Sequence, residues 1–374
     1  MITIGIIGAS GQVGTEVCLF LTTYPDVHPV AIVRSEISGA ILRRLGVEVR
    51  LCNLDDEAQC RKVFADLDLL VDFSVTPGEV SDITAHYDRN ITRALESTRG
   101  GARYVFASSI NAFGMSARFN RAKNYFLPHT LYAYTKRYGE RLTVRTGKRL
   151  GKETYIFRLG HVHGLLQRVS EETRHLVRGH WQRFEYPDTL SYTIFCHTIA
   201  EGLISAAKGG ERPGIYTLIS DPAWTWREVL NYYVAPGNRI QVDLQPAGKR
   251  TGAFARAAAA LRSRAMQAAN DYRETIRTNV LRRFPSAERR AAARLYTRRA
   301  AQQIQEFQNR SVYRPEGIHE GVFPGPRLRG ISDSRVSMTE KTEQVRQMLA
   351  RLSRSGANSG TPLEATPCRP EVRQ

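Results

Sequence analysis

The sequence predicts an α/β fold: a doubly wound, mostly parallel sheet with a small C-terminal region and an appended basic α-helical hairpin. Three observations predict it. Short β-branched runs alternate with longer mixed segments along the first two-thirds of the chain. A glycine-rich turn joins the first run to the first longer segment. After Pro236 the composition shifts to alanine and arginine.

The alternation sets the elements in order. "ITIGIIG" (2–8) reads as a buried strand and 13–24 as a helix. Further strands are expected at 28–34, 47–54, 67–75, 102–110, 153–160 and 214–219. Helices are expected near 36–45, 56–66, 79–98, 131–149, 198–207 and 225–234. Strands that alternate with helices of this length imply βαβ units and a parallel sheet. Past Pro236, apolar residues at 254, 258, 261, 265, 268, 272 and 276 recur at steps of three and four, a helical stripe. Pro285 breaks that stripe, and Ser286 can cap a second helix carrying Ala293, Tyr296, Ala300, Ile304 and Phe307. The expected domains are therefore 1–240 and a basic helical hairpin at 248–310. A tail at 311–374 follows, largely disordered, with a short helix that starts at "SMTE" (337–340), a capping-box pattern, and runs to about 352.

Composition narrows the class. Of 374 residues 42% are hydrophobic, enough for a substantial core. The five cysteines are scattered, odd in number and without a CxxC pair. That argues against a disulfide framework or a zinc site and for a reducing compartment. No apolar run approaches the roughly 20 residues of a membrane helix, and "MITIGIIG" lacks the basic leader of a signal peptide. A cytoplasmic protein without an integral membrane segment is expected. The net charge is +18. Residues 248–374 hold 25 Lys+Arg against 11 Asp+Glu, whereas residues 1–247 hold 29 against 25. Such a field suits an anionic partner, whether nucleic acid, anionic membrane or an acidic protein face. A solvated helix surface is the alternative.

"GIIGASGQVGTEV" places Gly8, Gly11 and Gly14 three apart, directly after the first strand and opening the first helix. Glycines there let a pyrophosphate approach bare backbone, and the helix N-terminus offers free N–H donors. The spacing is GxxGxxG rather than the commoner GxGxxG. At the end of the second strand stands Arg34, with no acid before Glu36. An acid there would meet the ribose 2′-OH of NAD, and an arginine accommodates the 2′-phosphate of NADP.

"LYAYTKRYGE" (131–140) sets Lys136 four residues after Tyr132, one turn along the same helix face. An ammonium beside a phenol favours the phenolate, so the tyrosine pKa is expected below its usual value of about 10. That makes a general acid–base group. Upstream, Ser108 or Ser109, at a strand end, could hydrogen-bond a substrate oxygen.

With these motifs in view, the sequence resembles the short-chain dehydrogenase/reductase superfamily. More closely it is similar to the extended group that includes NAD(P)-dependent sugar-nucleotide epimerases and dehydratases. "GASGQVG", "YVFASSINAFG", "YAYTK" and "RLGHVHG" (158–164), with Asn90, carry the resemblance over roughly residues 1–235. It implies a Rossmann-like domain, substrate-covering segments at about 161–240, and an NAD(P)-dependent oxidoreductase or epimerase acting on a nucleotide-activated sugar. It implies catalytic roles for Ser109, Tyr132 and Lys136, the lysine also orienting the nicotinamide ribose. The implied cofactor residues are Gly8, Ser10, Gly11, Gln12, Val13, Gly14, Arg34, Asn53, Leu54 and Asn90, with Tyr132 and Lys136 again, and the cofactor is NADP or NAD, with Arg34 favouring NADP. A homodimer through helices 79–98 and 131–149 is implied too.

The chain departs from the group at several points. Asn53-Leu54 stands where an acid and leucine are frequent, Gln12 where an aromatic is common, and His161 and His163 where Asn and Tyr are frequent. These histidines are expected to shape the pocket, with no metal. Arg168, Arg174, Arg178 and Arg183 cluster in the segment after the sixth strand, where guanidinium groups would suit a phosphate. A second class of function remains: an NADP-binding, redox-sensing scaffold whose basic C-terminal region docks on a partner protein, RNA or anionic membrane.

Overall fold

A computed structural model describes residues 1–75, 80–112, 131–178, 183–184, 188–234, 312–313 and 335–357. The helical hairpin expected over 248–310 lies outside them. In chain order the strands are β1 (Ile2–Ile7), β2 (Val27–Val33), β3 (Glu48–Leu51), β4 (Leu69–Asp72), β5 (Arg103–Ser109) and β6 (Thr154–Leu159). They continue with β7 (His161–His163), β8 (Arg183–Phe184), β9 (Thr193–Phe195), β10 (Gly214–Leu218) and β11 (Val312–Tyr313). The helices are α1 (Gln12–Leu21), α2 (Glu36–Arg44), α3 (Glu57–Val63), α4 (Val80–Ser97), α5 (Leu131–Leu150), α6 (Arg168–Arg178), α7 (Cys196–Lys208), α8 (Trp226–Tyr233) and α9 (Arg335–Ala357).

Seven strands form one sheet in the order β3-β2-β1-β4-β5-β6-β10, and every pairing in it is parallel. The inner strands are buried on both faces, which is why they read as near-continuous apolar runs, and the edge strand β3 is only partly covered. Alternate residues supply two cores. Ile4, Ile6, Leu69, Val71, Val105, Tyr155 and Phe157 pack with α1, α7 and α9. Ile7, Ile32, Leu70, Tyr104, Phe106 and Ile156 pack with α3, α4 and α5. The expected elements of residues 1–235 are all present, with strand ends shifted by a few residues. Two small parallel pairs, β7 with β9 and β8 with β11, were not expected.

The helix expected from "SMTE" runs from Arg335 to Ala357, past the expected stop at about 352. Its apolar stripe has a partner, which is why it persists. Val345 is fully buried in the core shared with α1 and α7, and Leu349 is half-buried there. Met338 joins Phe195, Trp224 and Val229 in a second cluster. Lys341 donates to the Thr23 carbonyl just past the C-terminus of α1 (3.2 Å), where the helix dipole favours a cation. Its ammonium also lies 3.6 Å from the Tyr24 ring centroid.

Truncating Val345 to Ala should cost about 1–3 kcal/mol through the cavity it leaves. Urea unfolding of the whole chain measures this; an unchanged midpoint would mean that α9 adds nothing to the core.

Candidate active site

The strand order reverses between β1 and β4, and crevices in open α/β sheets form at such a point, beyond the C-terminal strand ends. Ile7 ends β1 directly beside Asp72, which ends β4. The chain then turns at Gly8, whose φ of +78° a side chain rarely adopts. A Cβ at Gly8 would lie 2.9 Å from the backbone at Phe73 and Ser74. A Cβ at Gly14 would lie 2.3 Å from the Gly8 carbonyl oxygen. Both glycines are needed for close approach. Gly11 caps α1 without a side-chain bond, and the first turn holds no acidic residue. The leading N–H groups of α1 are thus set up for an anion, beside the exposed Ser10, Gly11 and Gln12.

The glycine turn is fastened from behind by Glu16, a buried carboxylate of α1. It accepts the N–H groups of Leu165 (2.6 Å) and Leu166 (2.9 Å) and the Gln167 amide (2.9 Å). Gln167 also donates to the Gln12 carbonyl (3.0 Å). Burial raises the Glu16 pKa, and these donors oppose the rise.

Ser109 closes β5, and Tyr132 and Lys136 lie on α5. The structure brings the first two together: Ser109 hydrogen-bonds the Tyr132 phenol. The spacing argument expected a tyrosine acidified by Lys136. Instead, although Tyr132 is 44% exposed, desolvation where the phenol faces the sheet raises its pKa, with only the Ser109 bond acting to lower it. Lys136 is buried and donates to the Ala107 carbonyl (2.9 Å), with its ammonium 5.1 Å from the Phe106 ring centroid. A buried ammonium turns to the nearest acceptor rather than lie uncompensated beside a phenol. Burial brings its pKa down to about 8, against the opposing charges of Asp72 and Glu140. The helix comes this close because residue 139 is glycine; a Cβ there would meet the Phe106 ring at 2.4 Å.

Below this group lies a buried ion pair that the sequence reading passed over. Glu140 accepts Ser108 Oγ (2.5 Å), Arg158 Nε (2.9 Å) and Arg158 Nη2 (2.7 Å). It ties α5 to the ends of β5 and β6. Glu140 is four residues past Lys136, so the helical period that picked out Tyr132 and Lys136 could have found it.

The remaining expected residues are dispersed. Arg34 is exposed after β2, and Glu36, the nearest acid, is paired with Arg43. Asn53 accepts the Asp55 N–H (3.1 Å) in a local turn after β3, beside Leu54. Asn90 is buried on α4, its amide 2.7 Å from His86 Nε2. His163 is buried, with Nδ1 3.0 Å from the Tyr233 hydroxyl, and His161 tilts against Trp226. Among the described residues no group of three or more His, Cys, Asp or Glu could hold a metal. Arg168 and Arg174 pair with Glu172 and Glu171 on their own helix, so α6 reads as a charge-laced face.

Strand order, glycine turn and buried lysine together define a doubly wound, Rossmann-like domain. The family comparison is more specific: residues 4–187 match the model of the NAD dependent epimerase/dehydratase family, a family of enzymes. Among solved structures it is similar to UDP-N-acetylglucosamine 4-epimerase from Bacillus cereus, at 19% identity and TM-score 0.47, over 62% of this chain and 82% of that one. UDP-glucuronic acid 4-epimerase from Bacillus cereus, in complex with UDP-glucuronic acid and NAD, is 14% identical with TM-score 0.48 and the same coverage. UDP-glucose 4-epimerase from Thermus thermophilus, in complex with NAD, is 17% identical with TM-score 0.44, again over 62% and 82%. No curated protein matches the chain. No helix among the described residues is long and apolar enough to cross a membrane.

Two outcomes follow. Gly14→Ala should destabilise the fold by about 1–3 kcal/mol, because its Cβ has no room against the Gly8 carbonyl; a thermal melt of unchanged midpoint would refute the close approach. Burial holds His163 neutral, its pKa brought down to about 3. Below about pH 6.5 the unfolded chain therefore takes up a proton that the folded chain refuses, and stability falls towards about pH 3. The stability gap between wild type and His163→Gln should shrink by about 2 kcal/mol from pH 7 to pH 5, read from urea titrations at the two pH values.

Proposed function

We propose that the chain is a nicotinamide-dinucleotide-dependent oxidoreductase or epimerase acting on a nucleotide-activated sugar, with Tyr132 as its acid–base group. The observation that carries this is the Ser109–Tyr132 hydrogen bond at the sheet edge that also holds the glycine turn and the buried Lys136. The family supports a nicotinamide cofactor, and the sugar nucleotide is what the motif resemblance implies.

The residues fit such a cofactor. Gly8, Ser10, Gly11, Gln12, Val13 and Gly14 would hold its diphosphate, since the turn leaves no room for side chains at Gly8 and Gly14 and the α1 N-terminus is uncapped by any side chain. Arg34, exposed and with no unpaired acid beside it, would meet a 2′-phosphate and favour NADP. Asn53, Leu54 and Asn90 complete the proposed set. The cofactor, once bound, supplies or takes the hydride.

Tyr132 handles the proton at the substrate oxygen. Its raised pKa keeps the phenol protonated at neutral pH, ready to donate to a carbonyl oxygen that gains a hydride. Ser109 fixes the phenol and favours its ionised form once the proton has left. Lys136, held against β5, would reach the nicotinamide ribose. This direction suits net reduction of a keto group, and an epimerase would run it both ways. The reading includes a homodimer through α4 and α5.

The test incubates purified protein with NADPH or NADH and with keto- and hydroxy-forms of UDP-sugars. Turnover with Tyr132→Phe should fall by about 10²–10⁴-fold while the variant still binds NADPH by fluorescence titration, and NADPH should bind more tightly than NADH. Full turnover in the variant would overturn the acid–base role; tighter NADH binding would overturn the Arg34 assignment.

A further inference from the structure

Asp72 is a buried carboxylate that neither the motifs nor the family resemblance assigns. It ends β4 with 1% of its surface exposed. One oxygen accepts the Ser74 N–H at 2.7 Å, and the other accepts the Tyr104 hydroxyl at 3.3 Å. Register places Asp72 directly opposite Phe106 on β5. Its side chain lies on the same sheet face as Leu70, Tyr104 and Phe106, the face covered by α4 and α5. On that face Lys136 reaches down to the Ala107 carbonyl and over the Phe106 ring. Asp72 and Lys136 are thus a carboxylate and an ammonium buried in one compartment.

We propose that Asp72 is a positioning residue of the active site: it holds the 73–74 turn against Gly8 and supplies the counter-charge that keeps the Lys136 ammonium protonated. Two observations stand behind the two halves. The Ser74 N–H bonded to Asp72 belongs to the backbone that would meet a Cβ at Gly8, so the carboxylate sets the wall of the glycine turn. For the second half, a buried ammonium bonded to one neutral carbonyl is costly unless an opposite charge lies near.

The groups around Lys136 are few. On its own helix Tyr132 and Glu140 stand one turn to either side and Arg137 adjoins it, and Asp72 acts on it from β4. From β5 come the Ala107 carbonyl, the Phe106 ring, Ser108 and Ser109, and from β6 comes Arg158, whose charge is taken by Glu140. From α4 come His86 and Tyr87, both in the field of Asp72. Arg158 shares Glu140, so of the two carboxylates that act on the lysine Asp72 is the one without an ion-pair partner among the described residues. Its effect on Lys136 is in the direction expected, raising the pKa against the larger opposing effect of burial.

The role of Lys136 at the nicotinamide rests on the proposed function, but the charge pairing does not, so the two can fail separately. The experiment follows Lys136 in the cofactor-free full chain by NMR of 13Cε-labelled lysine, with its resonance assigned by Lys136→Arg. Asn at position 72 can still accept the Ser74 N–H, so Asp72→Asn removes the charge and keeps the turn. Its Lys136 should titrate roughly one pH unit lower than wild type. An unmoved pKa in folded Asp72→Asn would overturn the proposal. Should that variant not fold, Tyr104→Phe removes only the hydroxyl that shares Asp72; Lys136 should then titrate at or above its wild-type pKa, and a fall would overturn the proposal. With turnover established, the alkaline limb of kcat/KM should move down with the lysine pKa in Asp72→Asn. Absence of NADPH binding would sink the functional reading and leave the charge pairing standing or falling on the NMR titration.

Discussion

The ammonium of Lys136 sits inside the protein, and much of the site is arranged to permit it. A buried charge is tolerated only with acceptors and opposite charge at hand. The Ala107 carbonyl is the acceptor, the Phe106 ring offers its face, and Asp72 and Glu140 supply negative charge. Gly139 lets α5 approach the sheet closely enough for the contact to form. Glu140 is in turn held by Arg158 and Ser108. The ends of β4, β5 and β6 are thereby fixed relative to one helix, and Tyr132, one turn earlier, is carried to Ser109.

The parts of this arrangement legible in the sequence are those with a local period. Strands buried on both faces leave apolar runs, and Tyr132 and Lys136 announce themselves by a spacing of four. The glycine turn was legible because Gly8 and Gly14 must be glycine for steric reasons that act within a few residues. Interactions that cross the chain were not. Arg158 meets Glu140 at a separation of 18 residues, and Glu16 meets Leu165 at 149. Spacing also misjudged the tyrosine. It put an ammonium one turn away but could not see that the amine turns towards β5, or that burial outweighs charge at the phenol. The arginines of α6 looked like a phosphate site in sequence, and the pairings with Glu171 and Glu172 account for two of them.

Two parts of the expected 1–240 domain are joined through α1. Its N-terminus forms the glycine turn, while Glu16, one turn in, grips the 165–167 segment that leads into α6. The cofactor-side turn and the start of the substrate-side segment therefore share one buried carboxylate. Tyr233 extends the connection by donating to Ser170, whose hydroxyl accepts the Gly164 N–H. A shift of α6 would be felt at the residue adjacent to the glycine turn, through the Gln167–Gln12 bond.

The docking of α9 has a consequence for α1. Lys341 bonds Thr23, 318 positions earlier in the chain, at the end of α1 opposite the glycine turn, and Val345 lies in the core that α1 and α7 share. The helix whose N-terminus opens the glycine turn is therefore braced at its other end by contacts of very high sequence separation, the kind that form late in folding.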